Sequence, residues 1–178
     1  VAVIGGGPAG AALSVFLERA GHHCVVFEAD DFPRYHIGES LIPHTFGTLD
    51  RLGLLPALRA SDYPPKHSVR FVSLEGTEST PFYFSETIDG EGARTWQVER
   101  SSFDRLCLDH ARQTGADVRM QDRVERVLFD GDQAVGVRVQ SAKAGSYDAA
   151  ARVVVDASGR STVIGRQLNL RSPVPGLR

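Results

Sequence analysis

The sequence predicts an α/β fold, a Rossmann-like nucleotide-binding domain on a parallel sheet, and three observations predict it. The chain opens on an apolar run, Val1-Ala-Val-Ile4, that leads straight into Gly5-Gly-Gly7-Pro8-Ala9-Gly10. An amphipathic stretch from Ala11 to Ala20 follows, with Leu13, Phe16 and Leu17 as its apolar positions. A second apolar run, Val25-Val-Phe, ends in Glu28, and about 20 residues between glycine loop and acid is the spacing of a dinucleotide-binding βαβ unit.

The glycines have separate tasks. Gly5 permits the tight turn out of the strand, Gly7 removes a side chain where backbone approaches a pyrophosphate, and Gly10 lets the helix pack closely on the sheet. Pro8 and Ala9 complete the loop, and the helix that starts there turns free N–H groups and its positive dipole end toward the phosphates. Glu28 is placed to accept hydrogen bonds from adenosine ribose hydroxyls, and an acid there repels a 2′-phosphate, which disfavours NADP. The alternative for Glu28 is a solvated charge at a strand end.

The 178 residues suffice for one substantial core and a satellite subdomain. Twenty Lys and Arg against 22 Asp and Glu give a net charge of −2, with no electrostatic footprint for nucleic acid or an anionic membrane. Neither is expected as a partner. Cys24 and Cys107 fall in an expected strand and helix and read as buried free thiols, and no Cys/His spacing suits a metal. There is no signal peptide and no apolar stretch of about 18 residues, so a soluble cytoplasmic protein is expected. Val1 already lies inside a strand and Arg178 follows soon after a strand-and-helix signal, so a piece of a longer protein is expected too.

Beyond Glu28 lies a turn-rich stretch from Asp30 to Ser40, and Leu41 to Leu58 reads as short helices broken at Pro43 and Pro56. His67 to Leu74 and Pro81 to Phe84 read as strands, with Trp96-Gln-Val98 as a third, together forming a small sheet. Ser101-Ser-Phe-Asp104 reads as a capping box for a helix that runs to Thr114 and is closed by Gly115. The pattern from Asp117 to Val139 is hairpin-like, with Asp130-Gly131 as its turn. Arg152-Val-Val-Val155-Asp156 suits a parallel, buried strand ending in an acid and a glycine turn. A nucleotide-binding domain interrupted by a β-rich segment accounts for this order.

The glycine loop, Glu28, the block Trp96-Gln-Val-Glu-Arg100 with Phe103-Asp104, and Val153-Val-Val-Asp156-Ala-Ser-Gly-Arg160 together resemble the FAD-dependent monooxygenase superfamily. Within it, Phe32-Pro-Arg-Tyr-His36-Ile37-Gly38-Glu39-Ser40-Leu-Ile-Pro43 is similar to the corresponding segment of the tryptophan and phenol flavin-dependent halogenases. The resemblance covers essentially the whole chain. It implies an FAD/NAD(P)-binding domain carrying FAD, a partial β-rich substrate subdomain, and a separate flavin reductase as partner. Residues 1–178 become the N-terminal part of one FAD-binding domain, with the β-rich insertion at about 63–98.

Carried over residue by residue, the resemblance makes Gly5, Gly7 and Gly10 the pyrophosphate loop and Glu28 the ribose acceptor. Ile37, Gly38, Glu39 and Ser40 fall near the flavin, Arg100 beside the cofactor, Val124 with its backbone against the adenine, and Asp156 near the ribityl chain and pyrophosphate. The residue patterns alone leave open a surface ion pair for Arg100, an ordinary core valine for Val124 and a turn acid for Asp156. His36 belongs to the flavin-side run or to its turn, and the other histidines show no ligand spacing.

The same resemblance puts the catalytic residue at Lys66, in Tyr63-Pro-Pro-Lys66-His67, where halogenases carry an essential lysine after a helical segment and at the start of a strand. An ammonium can hold hypohalous acid by hydrogen bonding, and a desolvated amine can form a haloamine. Read without the family, Lys66 is a solvated loop charge. The implied activity is halogenation of an aromatic or other electron-rich small molecule. Alternatives sharing most motifs are a geranylgeranyl-reductase-like enzyme, an aromatic hydroxylase, and a flavin-binding module or isolated domain without turnover.

Overall fold

The computed structural model describes residues 1–172, 174 and 176. By contact the chain separates into two compact units, one made of Val1–Arg34 with the chain from Asp104 onward, the other of Tyr35–Phe103.

The apolar opening run becomes β1 (Ala2–Ile4), all of it buried, and the glycine turn leads into α1 (Pro8–Arg19) with proline in its first turn. The face of α1 that is buried differs from the apolar stripe expected: it is Gly10, Ala11, Ser14 and Val15, while Leu13, Phe16 and Leu17 are half-buried. Small residues win that face because they let the helix axis come close to the strand beneath. β2 (Val25–Glu28) then runs parallel to β1, with Ile4 opposite Phe27.

The second unit begins with a 3-10 turn at Pro43–Thr45, α2 (Phe46–Leu52) and α3 (Leu55–Arg59). Pro43 and Pro56 open helical segments rather than breaking them, since a missing N–H costs nothing in a first turn. β3 (Pro65–Lys66), β4 (Ser68–Val69), β5 (Phe82–Tyr83) and β6 (Thr95–Trp96) are all short. They form two separate pairs, β3 with β6 and β4 with β5, instead of the single small sheet expected. The run from His67 to Leu74 does not persist as a strand: Phe71, Val72 and Leu74 are exposed, so no buried face rewards their pairing.

α4 (Arg100–Thr114) buries Phe103, Asp104, Cys107, Leu108 and Ala111 along one face. The expected capping box is absent: the helix starts at Arg100, the Phe103 N–H donates to the Glu99 carbonyl (2.8 Å), and Ser101 Oγ donates to the Glu99 carboxylate (2.7 Å). Asp104 is fully buried instead of serving the helix end. Both cysteines are free and buried, and burial pushes the Cys24 thiol up to about 11.

β7 (Asp117–Met120) leaves the expected hairpin and joins β2 in parallel. The hairpin proper is β8 (Asp122–Asp130) with β9 (Gln133–Ser141), turning at residues 131–132, and β10 (Gly145–Ala150) adds a third antiparallel strand that the alternation did not reveal. β11 (Val154–Asp156) returns beside β1 as a parallel, half-buried strand, and α5 (Val163–Gln167) follows. The parallel sheet is ordered β11-β1-β2-β7.

Ala2, Ile4 and Phe27 pack against Val124, Val127, Val137 and Val139 of the antiparallel sheet, forming one hydrophobic cluster of the first unit. Gln167 of α5 closes the outer edge of β8, its amide exchanging both hydrogen bonds with the Val127 backbone (2.7 and 2.8 Å). Tyr147 donates to Asp122 from β10 to β8, and burial first, then that bond, holds its phenol above the ordinary range. Among the described residues no helix is long and apolar enough to cross a membrane.

Candidate functional site

β1, β2 and β11 end side by side, so the glycine loop, Glu28 and the Asp156 turn meet at the carboxyl edge of the parallel sheet, where open α/β sheets bind ligands. The loop is held from both sides. Gly5 has φ +100°, and a Cβ there would lie 2.7 Å from the Ala157 carbonyl oxygen. At Gly10 a Cβ would lie 1.9 Å from the Gly5 carbonyl oxygen, so only glycine lets the helix close over the turn.

Glu28 is 3 % exposed. Its Oε2 accepts from the Gly6 N–H (2.7 Å) and its Oε1 from the Asp30 N–H (2.9 Å), so the acid at the end of β2 clamps the loop in addition to facing the ligand edge. Asp156 behaves similarly: it accepts from the Ser158 N–H (3.0 Å), from the Ser158 hydroxyl and from the Ile164 N–H (2.8 Å). Val124 is a core residue paired with Val139, next to a register shift in β8, and β8 is an edge strand.

Two residues that sequence reasoning missed complete this edge. Arg34 Nη2 stands 3.4 Å from Glu28 Oε2 and 3.8 Å from Asp104 Oδ2, and its guanidinium lies 4.8 Å from the Phe32 ring centroid. The sequence gives Arg34, inside the Phe32-to-Pro43 run, no role of its own and places Asp104 as a helix cap.

The remaining site residues lie in the second unit. Arg100 Nη1 donates to the Ile37 carbonyl (2.8 Å) and would be 3.2 Å from a Cβ at Gly38, whose φ is +110°. Arg100 thus buttresses the turn preceding Glu39, whose carbonyl accepts from the Val98 N–H (2.7 Å). Lys66 is half-buried on β3; its Nζ donates to Ser40 Oγ and stands 5.6 Å from the Phe84 ring centroid. Thr95, opposite Lys66, is 1 % exposed, and its hydroxyl has no hydrogen-bond partner among the described residues. No cluster of His, Cys, Asp and Glu suited to a metal occurs among the described residues.

Residues 1–176 match the profile of the FAD binding domain family. The chain belongs to that family. Its similarity extends to named enzymes: it is 35% identical over 191 residues to the 1H-pyrrole-2-carbonyl-[peptidyl-carrier protein] chlorinase of Pseudomonas fluorescens, an alignment covering 98% of this chain and 42% of the relative. Among solved structures, the myxobacterial chondrochloren halogenase CndH superposes with a TM-score of 0.84 at 39% identity, over 90% of this chain and 37% of that one. A flavoprotein/dehydrogenase from Cytophaga hutchinsonii superposes with a TM-score of 0.89 at 32% identity, over 99% of this chain and 43% of that one. This FAD-binding domain therefore spans about two-fifths of the length of these relatives.

The donor set fits the cofactor. Helix α1 has no side-chain cap at its N-terminus, and among the described residues a Cβ at Gly7 would meet within 4 Å only Arg34 Nη2, at 3.4 Å. A helix N-terminus, a glycine without a side chain and a guanidinium beside it suit the diphosphate of FAD. Glu28 keeps acceptor capacity for ribose hydroxyls beyond its two backbone bonds, because a carboxylate offers about four lone-pair sites.

Proposed function

We propose that this FAD-binding domain is part of a flavin-dependent halogenase acting on an aromatic or other electron-rich small molecule, with reduced FAD delivered by a separate flavin reductase. The observation that carries the reading is Lys66, the second residue of the two-residue strand β3, with its Nζ on Ser40 of the His36-to-Pro43 run. The similarity to a carrier-bound pyrrole chlorinase and to the chondrochloren halogenase supports it.

Gly5, Gly7, Pro8, Ala9 and Gly10 with Arg34 receive the pyrophosphate, Glu28 the adenosine ribose, and Asp156 the ribityl chain. Arg100 shapes the Ile37–Ser40 loop for the flavin ring, and Val124 offers edge backbone to the adenine. When bound, reduced FAD with dioxygen, a halide ion and a proton supplies hypohalous acid, leaving oxidised FAD and water. Lys66 Nζ donates a hydrogen bond to the oxygen of that acid and aims its halogen at the substrate ring. The ring carbon takes the halogen and loses a proton, and the hydroxide that leaves becomes water.

The likeness to a flavoprotein/dehydrogenase favours one rival, a reductase that needs no lysine. The two separate when the protein carrying this chain, at its full natural length, is supplied with FAD, a flavin reductase, NADH, oxygen and bromide, and offered phenol, pyrrole and indole acceptors. Brominated product that depends on enzyme and is lost in Lys66→Ala is the expected result. Flavin oxidation and oxygen uptake without any bromination would overturn the halogenase reading.

A further inference from the structure

β6 has a neighbour on each side. Lys66 pairs with Thr95 and Pro65 with Trp96 on one side, and the Gln97 N–H donates to the Pro64 carbonyl (2.9 Å). On the other side Ser40 bridges Gln97 in antiparallel sense, and the Leu41 N–H donates to the Trp96 carbonyl (3.1 Å). Residues directly opposite in an antiparallel pair project to the same face, as do residues two apart on one strand. Lys66, Thr95, Gln97 and Ser40 therefore share one face, while Trp96 takes the other and is buried. The contact between Lys66 Nζ and Ser40 Oγ follows from backbone register, not from a chance reach of a long side chain.

We propose that Ser40 is a positioning residue for Lys66. Its hydroxyl accepts from the ammonium, and the Phe84 ring presents its negative face to the same charge, so Nζ is held against the loop that the halogenase reading assigns to the flavin. A lysine side chain loses several rotors when it is aimed, and two contacts made to its charged form offset that loss. Ser40 thereby sets where Lys66 presents its remaining N–H donors. The part of this inference that concerns catalysis rests on the proposed halogenase activity; the contact itself does not.

The test uses the full-length holoenzyme and its Ser40→Ala and Ser40→Thr variants. The rate of Lys66 acetylation by acetic anhydride at fixed pH, read by peptide mass spectrometry, reports the contact without any turnover. Ser40→Ala is expected to raise it at least about threefold and Ser40→Thr to restore it, because a charge-assisted hydrogen bond is lost and regained. With the acceptor that wild type brominates, Ser40→Ala is expected to lower kcat about tenfold at saturating FAD, more than any change in FAD affinity accounts for. Equal acetylation rates in wild type and Ser40→Ala would overturn the proposal, as would a loss of FAD affinity that accounts for the whole loss of kcat. If wild type brominates nothing, the halogenase reading fails while the acetylation rates still decide the contact.

Discussion

Arg34 Nη2 lies 3.8 Å from Oδ2 of Asp104, a carboxylate with no solvent exposure that enters the first unit on α4. The same nitrogen is 3.4 Å from Glu28, so one guanidinium faces two buried acids beneath the glycine loop. Removing the guanidinium leaves two buried carboxylates without their cation, which costs more than the intact group contributes.

Arg34→Met should therefore destabilise the fold by about 3–5 kcal/mol, and FAD affinity should fall with it. Adding Asp104→Asn to Arg34→Met should recover part of that loss by removing one buried charge. Urea unfolding of the three proteins measures it; an Arg34→Met variant as stable as wild type would show that the acids have other compensation.

The glycine loop separates folding from binding. Gly10→Ala drives a Cβ to 1.9 Å from the Gly5 carbonyl oxygen, and the expected cost is more than about 2 kcal/mol with loss of FAD binding. Among the described residues Gly7→Ala meets only Arg34 Nη2, at an ordinary 3.4 Å, on extended backbone. Its apo stability should stay within about 1 kcal/mol of wild type, while its FAD affinity falls at least about tenfold because the methyl occupies the pyrophosphate approach. Thermal melts with and without FAD distinguish the two.

Cys24 links stability to alkaline pH. Its thiol is raised to about 11 by burial, above the unfolded value, so the folded state holds that proton more tightly. The contribution is complete below about pH 8.5 and is lost as pH rises through 11, on the order of 2 kcal/mol. Urea midpoints should fall more steeply between pH 8.5 and about 11 for wild type than for Cys24→Ala. At about pH 8, iodoacetamide should modify Cys24 only after unfolding.

Thr95 carries a buried hydroxyl with no partner among the described residues. Thr95→Val removes a desolvated polar group and keeps the branched shape, so its stability should equal or exceed that of wild type by up to about 1 kcal/mol. A loss of more than about 1 kcal/mol in a thermal melt would mean that the hydroxyl has found an acceptor.

Local chemistry was enough for the βαβ unit. Val25–Glu28 matched its strand to the residue, and β11 was legible as a parallel strand because apolar runs ending in an acid and a glycine carry their own signal. The helical stretch between Leu41 and Leu58 was legible too, but proline has opposite meanings inside a helix and in its first turn, and pattern alone did not tell them apart at Pro43 and Pro56. Strands at β4, β5 and β6 were legible within longer runs, but β3 and the division into the separate pairs β3–β6 and β4–β5 escaped because two-residue strands have no period to detect.

The sequence by itself determined the nucleotide-binding motif, the parallel strands that carry it and the free state of both cysteines, because turn chemistry and hydrophobic period act over a few residues. Tertiary structure alone decided that Asp104 is a buried partner of Arg34 rather than a cap, that β7 joins the parallel sheet, and that Ser40 meets Lys66 across β6. Those outcomes depend on register and on burial among segments tens of residues apart, where the desolvation of a charge or the pleat of a neighbouring strand outweighs any local preference.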